Sequence, residues 1–225
     1  MGAFTALIVL VTIALVLFFI PFKMHYAILS KWSVFCLWWL GITCNIQTKV
    51  IGAENIPKQA CVIISNHQST WETLGFQQIF AQQTWVLKKQ LLWIPIFGWG
   101  LALLKPIVID RGEKIQALKK IIRQGADRIN KGIFVIIFPE GTRQPYGKLG
   151  DYQKGGVAIA KKAKSDILPV FHNAGKIWAK GSFIKHAGVV TVIIGKPIKV
   201  MGKSATELTQ EVRDWTEKQA AKHTL

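Results

Sequence analysis

The chain has 225 residues, half of them hydrophobic, and carries 29 Lys and Arg against 12 Asp and Glu, a formal charge of +17. That length suits one compact domain plus an appendage, and the charge should draw phosphates: nucleic acid, anionic lipid head groups or phosphorylated metabolites. Cys36, Cys44 and Cys61 are spaced by 8 and 17 with no Cys-x-x-Cys pair and no histidine at ligand spacing, which argues against a zinc site or a disulfide framework and fits a reducing compartment.

The first element is Ala3 to Phe22, 20 residues without a charge. As a helix it reaches about 30 Å, the thickness of a bilayer's hydrocarbon core. It is longer than the apolar part of a signal peptide and no small-x-small cleavage site ends it, so it reads as an anchor that spans or embeds. Lys23 and Lys31 flank a short connection, and a second apolar run, Trp32 to Ile46, follows with only 15 residues and Trp32, Trp38 and Trp39 in it. Tryptophan prefers the head-group level, so this run is expected to return along one leaflet rather than cross; a buried core helix is the competing reading. The lysines favour a cytoplasmic connection, which leaves the rest of the chain on the cytoplasmic side. All 12 acidic residues and all but two of the 29 basic ones lie beyond residue 48, so the charge belongs to the following domain. Residues 1–48 are therefore expected to anchor, and 49–225 to form the working domain.

From Lys49 onward, short β-branched runs alternate with longer helical patterns, the signature of an α/β fold with a largely parallel sheet covered by helices. Expected strands are 61–65, 85–87, 107–109, 134–138, 167–170 and 189–194. Between the third and fourth, residues 113–130 set Ile115, Leu118, Ile122, Ala126 and Ile129 on one helical face, with Gly132 as a stop signal. A last helix from Thr206 to about Lys222 opens on Ser204-x-x-Glu207, a capping box, with Leu208, Val212 and Trp215 at helical spacing. The apolar stretch Trp93 to Trp99 reads equally as core, as a lipid-dipping loop or as the lining of an acyl channel.

Asn66-His67-Gln68-Ser69-Thr70-Trp71-Glu72 follows the first of those strands, where a buried strand hands over to a helix. A histidine near its ordinary pKa of about 6.5 accepts a proton at neutral pH, and a carboxylate five positions on can fix its tautomer and stabilise the imidazolium. Glu72 also completes Ser69-x-x-Glu72, a capping box in which its carboxylate would reach the Ser69 N–H instead. Both roles stay open. A hydrolase-like triad with Ser69 as nucleophile is disfavoured by the crowding of its members and the absence of a Gly-x-Ser-x-Gly elbow. His172 and His186 lie outside these motifs and receive no function.

Four segments in order, Asn66-His67-x4-Glu72, Ile109-Asp110-Arg111, Phe138-Pro139-Glu140-Gly141-Thr142-Arg143 and Leu168-Pro169-Val170, resemble the glycerolipid acyltransferases, in particular the bacterial 1-acyl-sn-glycerol-3-phosphate acyltransferases. The resemblance implies the glycerol-3-phosphate acyltransferase-like α/β fold. It implies transfer of an acyl chain from acyl-CoA or acyl-carrier protein to the sn-2 hydroxyl of a lysophospholipid, giving phosphatidic acid, at the cytoplasmic face of the inner membrane and without metal or organic cofactor. His67 and Glu72 would be catalytic. Glu140, Gly141, Thr142 and Arg143 would bind the acceptor's glycerol phosphate, joined by Arg111, whose competing role is pairing with Asp110 or Glu113. Lys154, ahead of Gly155 and Gly156 at a helix start, would add positive charge. The family's usual motif is His-x4-Asp, so Glu72 is one methylene longer. An acyltransferase for another lysolipid is the alternative; a non-catalytic basic protein binding membrane fits the ordered blocks less well, and no nucleic-acid motif is present.

Overall fold

The computed structural model describes residues 21–94, 98–99, 102, 104–109 and 114–223. The Ala3 to Phe22 run lies almost wholly outside them, as do Asp110, Arg111 and Glu113.

Helix α1, Phe22–Cys44, is one continuous helix of 23 residues. Residues 23–31 were expected to be a connection, but nothing between Pro21 at the helix start and Asn45 at its end breaks the backbone, so both lysines ride on the helix. Asn45 stops it in the left-handed conformation (φ 51°), donating its N–H to Leu40. Tyr26, Ser33 and Leu40 are buried against the domain, while Trp32, Phe35, Trp38, Trp39 and Ile42 stand at least half exposed. It is the one described helix long and apolar enough to cross a membrane.

Seven strands follow in one sheet of order β1-β7-β6-β2-β5-β3-β4: β1 Ile46–Ile51, β2 Val62–Ser65, β3 Gln83–Lys88, β4 Ile107–Ile109, β5 Phe134–Ile137, β6 Ile167–His172 and β7 Gly188–Ile194. All pairs are parallel except β6 with β7. The six expected strands are all present. The seventh, β1, escaped because only Ile46 of its six residues is buried and its partner β7 lies far along the chain, so neither alternation nor a buried run marks it.

The central strands β2 and β5 are buried throughout, and apolar but for Ser65, because helices cover both faces. Ile63, Trp85, Ile136 and Leu168 point to the side of α1, α2 (Trp71–Ile79) and α5 (Ala174–Ile177). Val62, Ile64, Val135 and Ile137 point to α3 (Lys114–Asn130), α4 (Gly155–Ala163) and α6 (Ala205–His223). Helix α3 matches its expected span, and of its expected face Ala126 and Ile129 are buried, Ile122 is half-buried and Leu118 is exposed; Gly132 turns at φ 75°. Helix α4 comes close to the sheet at Gly156, where an added Cβ would lie 3.1 Å from Ile64 and Ile137. The capping box of α6 is reciprocal: Glu207 accepts the Ser204 N–H at 2.7 Å and donates its own N–H to Ser204 Oγ at 3.2 Å.

Candidate active site

Strands β5, β2 and β6 are neighbours and run parallel, so their carboxyl ends open on one edge of the sheet, the edge at which open α/β folds bind ligands. The chain leaving β2 carries His67 and Glu72, that leaving β5 carries Glu140 to Arg143, and β6 ends on His172. Topology alone brings these three stretches together.

His67 Nδ1 lies 2.7 Å from Glu72 Oε1. The same oxygen accepts the backbone N–H of Gln68 at 3.1 Å and of Ser69 at 2.7 Å. The two roles open from the sequence are thus combined in one oxygen, which caps the start of α2 and faces the imidazole. Ser69 departs from a regular capping box: its Oγ accepts the Trp71 N–H and donates to the Trp178 carbonyl at 2.6 Å, so the hydroxyl is engaged in holding the loop. Glu72 is fully buried, and its second oxygen stands 2.5 Å from Nε2 of the equally buried His172. Burial alone would raise the Glu72 carboxyl; His172 and His67 outweigh it and hold it down at about 2, from 4.5. A carboxylate at Nδ1 makes that nitrogen the donor, which leaves the lone pair of His67 on Nε2.

Phe138, the residue after β5, stacks on the His67 ring with centroids 4.1 Å apart and planes at 12°. Below the backbone, Glu140 Oε1 accepts the His67 N–H and Oε2 accepts the Gly150 N–H, each at 3.1 Å. The His67 carbonyl in turn accepts the Gln144 N–H at 2.7 Å. The resemblance sets Glu140 among the acceptor-binding residues; here it is nearly buried with both oxygens on backbone amides, so it braces the loop that carries His67. Burial pushes its carboxyl up to about 7 against those two amides.

Gly141 and Thr142 are exposed and Arg143 is half-buried, with Gly141 in the left-handed region at φ 68° that favours glycine. Lys180 reaches across to donate to the Arg143 carbonyl at 3.0 Å. Among the described residues the Arg143 guanidinium pairs with no carboxylate, so its planar fork is available to an anion. Lys154 sits at the start of α4 as expected, but its ammonium donates to Thr206 Oγ1 at 2.8 Å. Arg111 lies outside the described residues.

His67 and Gly141 line a groove of about 520 Å³ that runs between the sheet and α3 and α4, with Val86, Leu87, Leu118, Ile121 and Ile137 in its walls. An apolar slot ending at a base and bordered by an arginine segment suits a ligand with a long hydrocarbon part and a reactive polar end. No cluster of His, Cys, Asp and Glu that could hold a metal occurs among the described residues, and the three cysteines are free. Of the Trp93 to Trp99 stretch, Trp93 and Trp99 are exposed and 95–97 lie outside the described residues.

Sequence reasoning missed Asn66, Phe138 and above all His172. The signal for His172 was its place two residues past Leu168-Pro169-Val170: extending that strand by two residues, parallel to β2, sets its end beside the histidine loop.

The acyltransferase family profile matches residues 47–173. The chain is 42% identical over 200 residues to the 1-acyl-sn-glycerol-3-phosphate acyltransferase of Pseudomonas aeruginosa, covering 87% of this chain and 78% of that one. It is 31% identical over 199 residues to a chloroplastic 1-acyl-sn-glycerol-3-phosphate acyltransferase of Brassica napus, covering 85% of this chain and 55% of that one. The crystal structure of the 1-acyl-sn-glycerophosphate (LPA) acyltransferase from Thermotoga maritima superposes with a TM-score of 0.78 at 26% identity, over 94% of this chain and 86% of that one.

Proposed function

Since the chain belongs to the acyltransferase family, we propose that it transfers an acyl chain from a thioester donor to the sn-2 hydroxyl of 1-acyl-sn-glycerol-3-phosphate, giving phosphatidic acid. The observation that carries this reading is the His67–Glu72 pair, with His67 lining an apolar groove that Gly141 also lines. In the reaction the acceptor's hydroxyl comes within about 3 Å of Nε2 and gives up its proton as its oxygen attacks the thioester carbonyl. Glu72 stabilises the imidazolium so formed. The tetrahedral intermediate collapses, the C–S bond breaks, and the proton passes from Nε2 to the leaving thiolate. No covalent enzyme intermediate is needed, and the Ser69 hydroxyl, held by Trp178, takes no part.

Thr142 and Arg143 bind the acceptor's phosphate, with Lys180 beside them as a further cation and Arg111 as another phosphate ligand. Glu140 and Gly141 shape the same segment, the first by bracing the His67 loop and the second by turning the chain. Lys154, which lines the groove, contributes charge. The groove holds an acyl chain, and the donor is acyl-CoA or acyl-carrier protein.

Residues 1–48 anchor the domain 49–225 to the cytoplasmic face of the inner membrane. Support comes from α1, which buries one face on the domain and leaves its tryptophans and Phe35 outward at head-group chemistry, and from the loop that exposes Phe183 and Ile184 between Lys180 and Lys185. A helix packed on its own domain along one side fits a place along one leaflet. The test is acyl transfer by purified protein from labelled acyl-CoA or acyl-carrier protein to a panel of lysolipids, with His67→Ala alongside. Transfer is expected with the phosphate-bearing acceptor and to fall roughly 10²–10⁴-fold in His67→Ala. Unchanged transfer in that variant would overturn the mechanism.

A further inference from the structure

His172 is a fully buried histidine that the proposed chemistry does not use. Its surroundings fix its protonation without reference to any titration. The Ala174 N–H points at Nδ1 from 3.2 Å, so Nδ1 is an acceptor and the proton of the neutral ring sits on Nε2. Nε2 faces two acceptors, the Asn66 carbonyl at 3.0 Å and Glu72 Oε2 at 2.5 Å. The ring cannot turn away from them. The His172 N–H donates to Asn66 Oδ1 at 3.0 Å, Asn66 Nδ2 donates to the His172 carbonyl at 2.9 Å, and Phe76 closes on the ring edge-on with centroids 5.7 Å apart.

We infer that His172 is a positioning residue for the acyl transfer: its Nε2–H, bonded to the Asn66 carbonyl and in close contact with Glu72 Oε2, holds that carboxylate in place, and glutamate stands at 72 because one carboxylate must reach two histidines. The geometry explains the departure from the usual His-x4-Asp pattern. Oε1 must stay on His67 Nδ1 and the Gln68 and Ser69 amides while Oε2 meets His172, and a side chain one methylene shorter, rooted at the same Cα, falls short of one side. Outer-shell partners of this kind orient an active group and tune its basicity. Here His172 fixes Oε2, so that Oε1 stays aimed at His67 Nδ1.

This rests on His67 being the base, and the experiment separates the two claims. Both kcat and KM for the lysolipid are measured in wild type, His172→Phe and His172→Gln, whose amide nitrogen lies near the position of Nε2. In His172→Phe kcat should fall by roughly ten-fold or more with KM little changed. His172→Gln should restore most of kcat. Glu72→Asp should cost activity in the wild type and little further in His172→Phe, because the longer reach then serves nothing.

A folded His172→Phe with wild-type kcat, or a His172→Gln no better than His172→Phe, overturns the inference. If His172→Phe does not fold, the wild type decides: in detergent micelles the ¹⁵N shifts should show the proton of His172 on Nε2 and Nδ1 as the acceptor, and an Nδ1–H His172 overturns it. Full activity in His67→Ala would instead sink the underlying mechanism.

Discussion

The chain contains two Ser-x-x-Glu segments at helix starts, Ser69 to Glu72 and Ser204 to Glu207, and the fold treats them differently. In both, the glutamate accepts the serine N–H at 2.7 Å. At α6 the matter ends there: Ser204 Oγ returns the bond, the box is exposed, and the Glu207 carboxyl is lowered first by its bonds to Ser204. At α2 the same local pattern is sealed at the carboxyl edge of the sheet, and two histidines from different strands converge on the glutamate. A capping motif reports only that a helix begins. What the capping carboxylate does besides depends on which strands lie beside it, and in this fold the neighbours of β2 supply the difference.

Replacing each glutamate by glutamine is the sharpest way to break that comparison. Glu72→Gln can leave its amide oxygen on His67 and the two backbone amides, but its NH₂ then meets the His172 Nε2–H, donor against donor. His172 cannot change tautomer without turning an N–H on the Ala174 N–H. Activity should fall by roughly 10²–10⁴-fold, and unfolding should also become easier by roughly 2 kcal/mol or more because a buried donor is left unpaired. The stability loss is the part the sequence did not suggest. Transfer assays and denaturant unfolding of the purified variant measure both; an intact activity would remove Glu72 from the mechanism. Glu207→Gln should leave transfer unchanged.

Two buried acids in one site also titrate in opposite directions, which sharpens what burial means here. Glu72 is held at about 2, so the stability it contributes is complete above 4.5 and lost as pH falls from there toward 2. Glu140 is raised to about 7, so the folded chain keeps a proton that the unfolded chain gives up near 4.5, and the stability linked to Glu140 declines as pH rises between those values. Melting temperature followed from pH 5 to 7 should therefore fall in the wild type and flatten in Glu140→Gln. An identical slope in the variant would mean that another group carries the dependence.

Much of this site was legible because chemistry-bearing residues sit directly after apolar runs. Val62 to Ser65 and Phe134 to Ile137 are short, continuous and buried on both faces, so each announces a central strand and the loop that follows it. His67, Glu72 and Arg143 were found that way. His172 was not, because strand order is a tertiary property: nothing local says that β6 lies beside β2, or that its last residue points at a carboxylate 100 positions earlier. Glu140 was placed among the acceptor-binding residues by the resemblance alone. Only the fold shows its oxygens on the His67 and Gly150 amides. The same limit hid β1, whose partner β7 arrives after the rest of the sheet, and it let two lysines on α1 pass for a connection.

The smallest expected effect tests whether the exposed box is as local as it looks. Ser204→Ala removes the acceptor of the Glu207 N–H at the start of a helix that also holds Lys154 through Thr206 and buries Leu208 and Val212 against the sheet. A lost cap costs about 1 kcal/mol, which in a chain of this size lowers Tm by about 3 °C. Activity should stay at the wild-type level, since the bonds between Ser204 and Glu207 involve neither the His67–Glu72 pair nor the Arg143 segment. A drop in activity out of proportion to the Tm shift would mean that the start of α6 helps to set the groove, and the contrast between the two boxes would then be one of degree.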